Sequence, residues 1–407
     1  MVEQRSPGPG QVVVPRVLAA AEARERNLSL VLRQVLDAEQ PVSRAEIADA
    51  TGLARASVSG LVEQLVDGGL VTELAPRQAR RVGRPSVPLI PSQGSVVGIG
   101  LEVNIDYLGV RAVDLGGRVV ADHLESGDFR DADPVPVLRR LATRAEAMVA
   151  RLHTEGVRVA GAVLALPGLV DRGSGLLRHA SKLGWRNVDA LALIGGTPGV
   201  DGLAPRAANE ADLGARAEVW TRRHSDWESF VYISGEVGIG AAIVLDREVY
   251  PGRHGWSGEI GHTIVRPDAG GRGVSLEDIA SQDALMEAAG LSPYEPLERL
   301  LEAAEHRDER ALAALRACAE ALGVAIGNVI SIVDVDRVVL GGAYCQLFPY
   351  MGDVVEAELR RRVLFARWAP VEVASAEAGL YAAMTGGALA ALEPVTSAPA
   401  AWLAGRA

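Results

Sequence analysis

The 407-residue sequence predicts an α/β protein preceded by a small winged helix-turn-helix. Three observations carry that reading. From about residue 93 onward, short apolar runs alternate with Ala-rich stretches of helical spacing. Glycine-rich loops punctuate those runs, as in ISGEVGIGAAIV and VVLGGAY. The front of the chain instead holds a helix, a turn, a second helix and a basic hairpin, in that order.

Residues 1–24 are polar and carry Pro and Gly, and are expected to be a flexible terminus. The winged helix-turn-helix spans 25–92. Its first helix is marked by RERNLSLVLRQVLDAEQ, where Leu28, Val31, Leu32 and Val35 share a face and Pro41 follows. In PVSRAEIADATGLARASVSGLVEQLVDGGL, Ser43 and Glu46 form a capping box and Gly52 permits a tight turn. A helix from about Ala54 to Asp67 then buries Val58, Leu61, Val62 and Leu65 and stops at Gly68 and Gly69. Arg55, Ser57 and Ser59 at its start reach base edges and phosphates if that helix enters a major groove. LVTELAPRQARRVGRPSVPLI reads as two strands around a tip bearing Arg77, Arg80, Arg81 and Arg84, a wing whose arginines suit a narrow minor groove.

Charge supports this division. Residues 1–95 hold 11 Arg against 10 Asp and Glu, whereas the remainder carries −12 of the total −11. Only the front module is therefore suited to a polyanion. A content of 48% hydrophobic and 23% charged residues is that of a soluble globular chain. No apolar run approaches the ~20 residues of a spanning helix; the longest, VAGAVLALPGLV, is broken by Pro167 and Gly168. Pro15 and Arg16 interrupt the apolar start, which argues against a secretory leader. The expected location is cytoplasmic, with no membrane partner. Cys318 and Cys345 are the two cysteines, too few for a disulfide framework or a thiolate zinc site.

Five stretches, LALPGLVD, ANEADLGARAE, VGIGAAIVLDREVYPGRHGWSGEIGH, VSLEDIAS and VDRVVLGGAY, occur in an order that resembles the ROK (repressor, ORF, kinase) family, from about residue 25 to 395. The chain looks most like its sugar-responsive repressors. The resemblance implies a two-lobed, actin-like (ribonuclease H-like) sugar-kinase fold behind the winged helix. Its small lobe would take residues 93–208 plus 383–400, and its large lobe 209–382, with the ligand cleft between them. It also implies a sugar-facing set: Glu259 and His262 from Glu-x-Gly-His, Glu277 after the family's zinc loop, and Asn209 with Glu210 at its Asn-Asp pair. Carboxylates and imidazole suit vicinal hydroxyls, because each makes directed hydrogen bonds.

The kinase machinery is altered. The family's phosphate loop Asp-x-Gly-Gly-Thr falls on Glu102 to Asp106, where Asn104 and Ile105 add side chains and Asp106 adds repulsion. The threonine of Gly-Thr-Gly-Ile-Gly is Val237, and the catalytic aspartate is Glu210, displaced by a methylene. The family's zinc cysteines fall on Asp268, Gly270 and Ser275, so neither zinc nor ATP is expected as a cofactor, and no metal site or catalytic residue. The expected function is a transcriptional regulator of carbohydrate metabolism, in repressor mode, binding double-stranded operator DNA as a homodimer or homotetramer under control of a sugar or sugar derivative. The rival readings are a carbohydrate kinase with a DNA-binding arm and a repressor governed by a protein partner.

Lys182, in RHASKLGWRN, is the sole lysine. The family has Ala-Pro-Asn-Leu-x-Trp here, with its asparagine on the sugar, so the resemblance makes Lys182 a ligand-site residue. It serves either to neutralise Glu210 and Glu259 or to select an anionic ligand.

Overall fold

The computed structural model describes residues 16–76, 87–268 and 270–405, divided into one unit of the chain's start with its last residues, Glu393 onward, and a second of Ser92–Leu392. In the first unit, helix α1 (Arg16–Leu36) starts before the expected boundary at 25. Leu28, Val31, Leu32 and Val35 are fully buried on its inner face. A two-residue strand β1 (Val42–Ser43) leads into α2 (Arg44–Thr51), whose capping box is complete: Ser43 Oγ accepts from Glu46 N, and Ser43 N donates to the Glu46 carboxylate. Gly52 closes α2 with a φ of +69°, left-handed backbone that glycine adopts without steric cost. Helix α3 (Arg55–Asp67) follows, burying Val58, Leu61, Val62 and Leu65 as the spacing requires. Strands β2 (Val71–Glu73) and β3 (Pro88–Pro91) pair antiparallel, and β1 pairs with the other edge of β3. The arginines expected at the wing tip, Arg77, Arg80, Arg81 and Arg84, lie outside the described residues.

The chain's end belongs to this unit, not to the small lobe expected to run through residue 400. Helices Glu393–Ser397 and Pro399–Ala404 pack on α1. Glu25 accepts from the backbone N–H groups of Ala400 and Ala401 at 2.8 and 3.0 Å, and Ser29 Oγ donates to Thr396 O. Leu403 lies against Gly68, the C-cap of α3. No sequence pattern announces this, because the contacts join residues at opposite ends of the chain. Glu25→Ala leaves two helix-start N–H groups unpaired and is expected to cost about 1 kcal/mol, the worth of a helix cap; thermal unfolding and faster proteolysis after Leu392 read it out, and an unchanged protein would refute the anchoring role.

The second unit is built on two five-stranded sheets of one pattern. Strands β4 (Val96–Val103), β5 (Tyr107–Asp114) and β6 (Val119–Ser126) form an antiparallel meander; β7 (Arg158–Leu166) joins β4 in parallel, and Arg206–Asn209 joins β7 in parallel. In the second sheet Phe230–Gly235, Ile239–Leu245 and Glu248–Tyr250 form the meander, with Arg337–Gly342 and Glu372–Ser375 parallel beside the first of them. Helix α4 (Pro134–Thr154) covers the first sheet with Leu138, Leu141, Ala145, Val149 and Leu152, at a 3- to 4-residue spacing. Helices Glu309–Val333 and Ala343–Arg362 pack on each other, the latter against the second sheet. Contrary to the expectation that no apolar stretch approaches spanning length, Glu309–Val333 is long and apolar enough to cross a membrane. It is a core helix, with Leu315, Cys318, Leu322, Ile326 and Ile330 buried.

One helix position decides the centre. Ala382–Ala391 lies on β4 and against the helix Glu210–Thr221. A Cβ on Gly100 would fall 1.8 Å from Met384 O, and one on Gly386 1.7 Å from Leu213 O, so this approach admits only glycine.

Candidate functional site

The meanders end in corresponding hairpin tips, and the tips meet. At Asn104–Asp106 the first sheet turns from β4 to β5; at Glu236–Gly238 the second does the same. The Asn104 amide donates across to the Glu236 carboxylate, while its Oδ1 accepts from Ile105 N. Next to this latch the carboxyl ends of the parallel strands open onto a pocket, the place where open α/β sheets bind ligands. β7 runs out into Pro167 and Gly168, and Arg206–Asn209 hands over to the helix beginning at Glu210.

All six residues expected to face the ligand line this pocket: Lys182, Asn209, Glu210, Glu259, His262 and Glu277. Four separate segments deliver them. Lys182 sits in the turn between strands Leu177–Ala180 and Trp185–Val188, framed by buried Leu183 and Trp185; Trp185 Nε1 donates to Ala132 O. Asn209 is the N-cap of the site helix, its Oδ1 accepting from Ala211 N and Asp212 N, and its Nδ2 donating to Gly168 O at 2.9 Å. Most of its hydrogen-bonding capacity therefore holds the loop and aims Glu210. Glu259 and His262 bracket a single 3₁₀ turn, and Glu277 opens the short helix Glu277–Ala280.

The lysine pairs otherwise than expected. Its Nζ lies 3.7 Å from Glu277 and 3.7 Å from Asp283, rather than on Glu210 and Glu259, and Asp283 is also held by Arg130 at 3.3 Å. Asp283, distant in sequence, left no signal. Glu236 did leave one: an acid stands in a glycine-rich loop at the position the family gives to glycine. Sequence reasoning passed over it in favour of Val237, which is buried in the core of the first sheet.

Carboxyl groups crowd the pocket and the interior beside it. Glu102 is 1% exposed; Tyr107 donates to its Oε1 at 2.8 Å, and its Oε2 has no hydrogen-bond partner. Burial pushes its pKa up to about 7, although Tyr107 and Asn104 pull it down. Burial first, then Glu102 and Glu259, push Glu210 up to about 8, and the same two kinds of cause carry Glu236 well above the carboxylate range. Burial raises Asp212 to about 7.

The sign of the consequence follows from linkage. Below the ordinary carboxylate value, the folded and unfolded chains both hold these protons. Between that value and pH 8 the unfolded chain loses protons that the fold retains, so stability falls as pH rises. The protein is expected to be most stable near the ordinary carboxylate pKa range and to lose stability steadily as pH rises from there to 8. Glu102→Gln, which still accepts from Tyr107, should flatten that decline in thermal unfolding; stability that climbs toward pH 8 would refute the account.

The loop that carries zinc cysteines in the family is held here by hydrogen bonds to two aspartate carboxylates. Asp268 Oδ1 accepts from Arg272 N at 2.8 Å, and Ser275 N and Oγ both donate to Asp278 Oδ2. In the DNA-reading module, Arg55 and Ser57 are exposed at the start of α3, Arg55 3.9 Å from Asp49. Ser59 turns back, its hydroxyl donating to Arg55 O.

A winged helix ahead of a duplicated sugar-kinase fold, with a polar cleft at its strand ends, defines a class of sugar-linked DNA-binding proteins. The chain belongs to the ROK family, whose pattern covers residues 133–393, and a MarR-family pattern covers residues 29–81. It is 26% identical to the xylose repressor of Caldicellulosiruptor bescii, over 78% of this chain and 83% of that one. Its fold matches a ROK family transcriptional regulator, a homologue of the Escherichia coli Mlc protein, with a TM-score of 0.73 at 25% identity over 94% of this chain and 99% of the other. A ROK glucokinase from Streptomyces griseus, with a TM-score of 0.60 and 21% identity over 72% of this chain and 98% of that chain, shares the fold of the second unit.

Proposed function

We propose that the protein is a sugar-responsive transcriptional repressor of carbohydrate metabolism and not a kinase. The observation that carries this is the pocket floor. The six sugar-facing side chains converge, while the turn that would cradle phosphate is filled by the Asn104 amide and ringed by Glu102, Asp106 and Glu236. Their side chains occupy the room a phosphate needs, and each of them that ionises repels it. Resemblance to xylose repressors and to a ROK regulator supports the same reading. The protein works as a cytoplasmic homodimer or homotetramer on an inverted-repeat operator, with α3 in the major groove, and needs neither zinc nor ATP.

Ligand in the pocket shifts the free energy of the helix Glu210–Thr221. That helix packs on Ala382–Ala391, which runs through Leu392 directly into the tail helices held on α1. This covalent path gives the ligand a lever on the DNA-reading unit.

The test is operator binding, on sites obtained by selection from random DNA, with and without a monosaccharide panel. Arg55→Ala should alter sequence preference by about 1–3 kcal/mol at one base position. Replacing Arg80, Arg81 and Arg84 together should weaken binding to every sequence and flatten its salt dependence. Operator affinity unchanged in both variants would overturn DNA reading by this module. Turnover of ATP with magnesium and any hexose or xylose would overturn the non-kinase reading.

A further inference from the structure

We propose that the ligand is cationic, an amino sugar or a similar polyhydroxylated amine, whose ammonium group is held by Glu210 and Glu236. The inference deepens the sugar-responsive reading of this pocket and rests on it.

The charges on the wall are unequal. Glu210, Glu236, Glu259 and Glu277 line the pocket, against Lys182 and His262. The lysine is already matched, by Glu277 and Asp283, and Glu259 shares its short turn with His262. That leaves Glu210 and Glu236 facing no cation among the described residues. Asn104 is the hydrogen-bonding side chain on Glu236, and the inner oxygen of Glu210 has no partner. Behind them Glu102, whose Oε2 has no hydrogen-bond partner, lines a small cavity together with both glutamates, Ser234 and Tyr232.

Each class of ligand meets this wall differently. An anionic sugar would add repulsion, and Lys182, its charge already matched, does not offset it. A neutral sugar leaves the desolvated acids to be quenched only by protons. An ammonium supplies three N–H donors and the missing positive charge at once. Burial and mutual repulsion, which lift the proton affinity of both glutamates, measure how strongly the empty wall seeks positive charge.

Calorimetry on the full-length protein at pH 7 with matched pairs tests this: glucosamine against glucose, galactosamine against galactose, mannosamine against mannose. Within each pair the hydroxyl pattern is kept and only one group changes. At least one amine should bind about tenfold more tightly than its neutral partner, the worth of one well-placed charge pair, and the margin should shrink as salt rises. Glu236→Gln retains an acceptor for Asn104 and so preserves the latch, with folding checked by circular dichroism; it should erase most of the margin, as should Glu210→Gln. A neutral sugar that binds as well as its amine, or gluconate or glucose 6-phosphate binding more tightly than either, would overturn the cationic ligand and leave the sugar reading intact. If no sugar, charged or neutral, binds, the sugar reading itself falls, and this inference with it.

Discussion

Gly386→Leu is expected to abolish folding of the second unit, and Gly386→Ala to cost about 3 kcal/mol, the upper end for overpacking a core. The helix Ala382–Ala391 is wedged between two backbones. On one side Gly98 and Gly100 of β4 admit it to within a Cβ's reach of Ala388 O and Met384 O; on the other, Gly386 presses on Leu213 O. A methyl group at 386 would sit 1.7 Å from that oxygen, well inside any van der Waals contact, and the obstacle is main chain that no rotamer change relieves. The helix Glu210–Thr221 must then move, and Asn209 and Glu210 at its start move with it. Gly202→Ala serves as the control, since nothing lies within 4 Å of a Cβ there. Thermal unfolding and soluble yield of the two variants read the difference. Equal behaviour would mean that the close approach is not a constraint.

Glu218→Ala is expected to cost about 3 kcal/mol, because it takes the buried carboxylate from Arg222 Nε and leaves the Ala378 N–H unpaired. Glu218 is fully buried; its Oε2 accepts from Arg222 Nε at 2.9 Å and its Oε1 from Ala378 N at 2.6 Å. Arg222 reaches on to Ser375 O and Glu377 and stacks 4.6 Å over Trp227. The pair thus ties the site helix to the loop that delivers the helix Ala382–Ala391. Burial raises the pKa of Glu218 against the pull of Ala378 N and Arg222, so desolvation outweighs the attraction and the pair buys position, not net stability. Glu218→Leu combined with Arg222→Met should accordingly recover much of the loss in a thermal melt, the Ala378 N–H remaining unpaired. A double variant no better than Glu218→Ala would show that the ion pair itself is stabilising.

Several features of the protein were legible from local sequence, since each is settled within a few residues. Ser43 with Glu46, Gly52 and the buried stripe of α3 are local chemistry, and they specify the helix-turn-helix without reference to the rest of the chain. The six pocket residues were legible by resemblance, as fixed short motifs that the fold brings to one pocket. Tertiary structure decided what depends on partners far apart in the chain. Glu25 capping the last helix, Lys182 turning to Glu277 and Asp283, and Asn104 reaching Glu236 each join residues whose spacing carries no periodic signal. The electrostatic character of the pocket belongs to that second group. Coulomb energy and desolvation depend on distance and burial, which only the folded chain sets, and so the lone lysine, which the sequence left as either a counter-ion to Glu210 and Glu259 or a selector of anions, lies in the structure against Glu277 and Asp283.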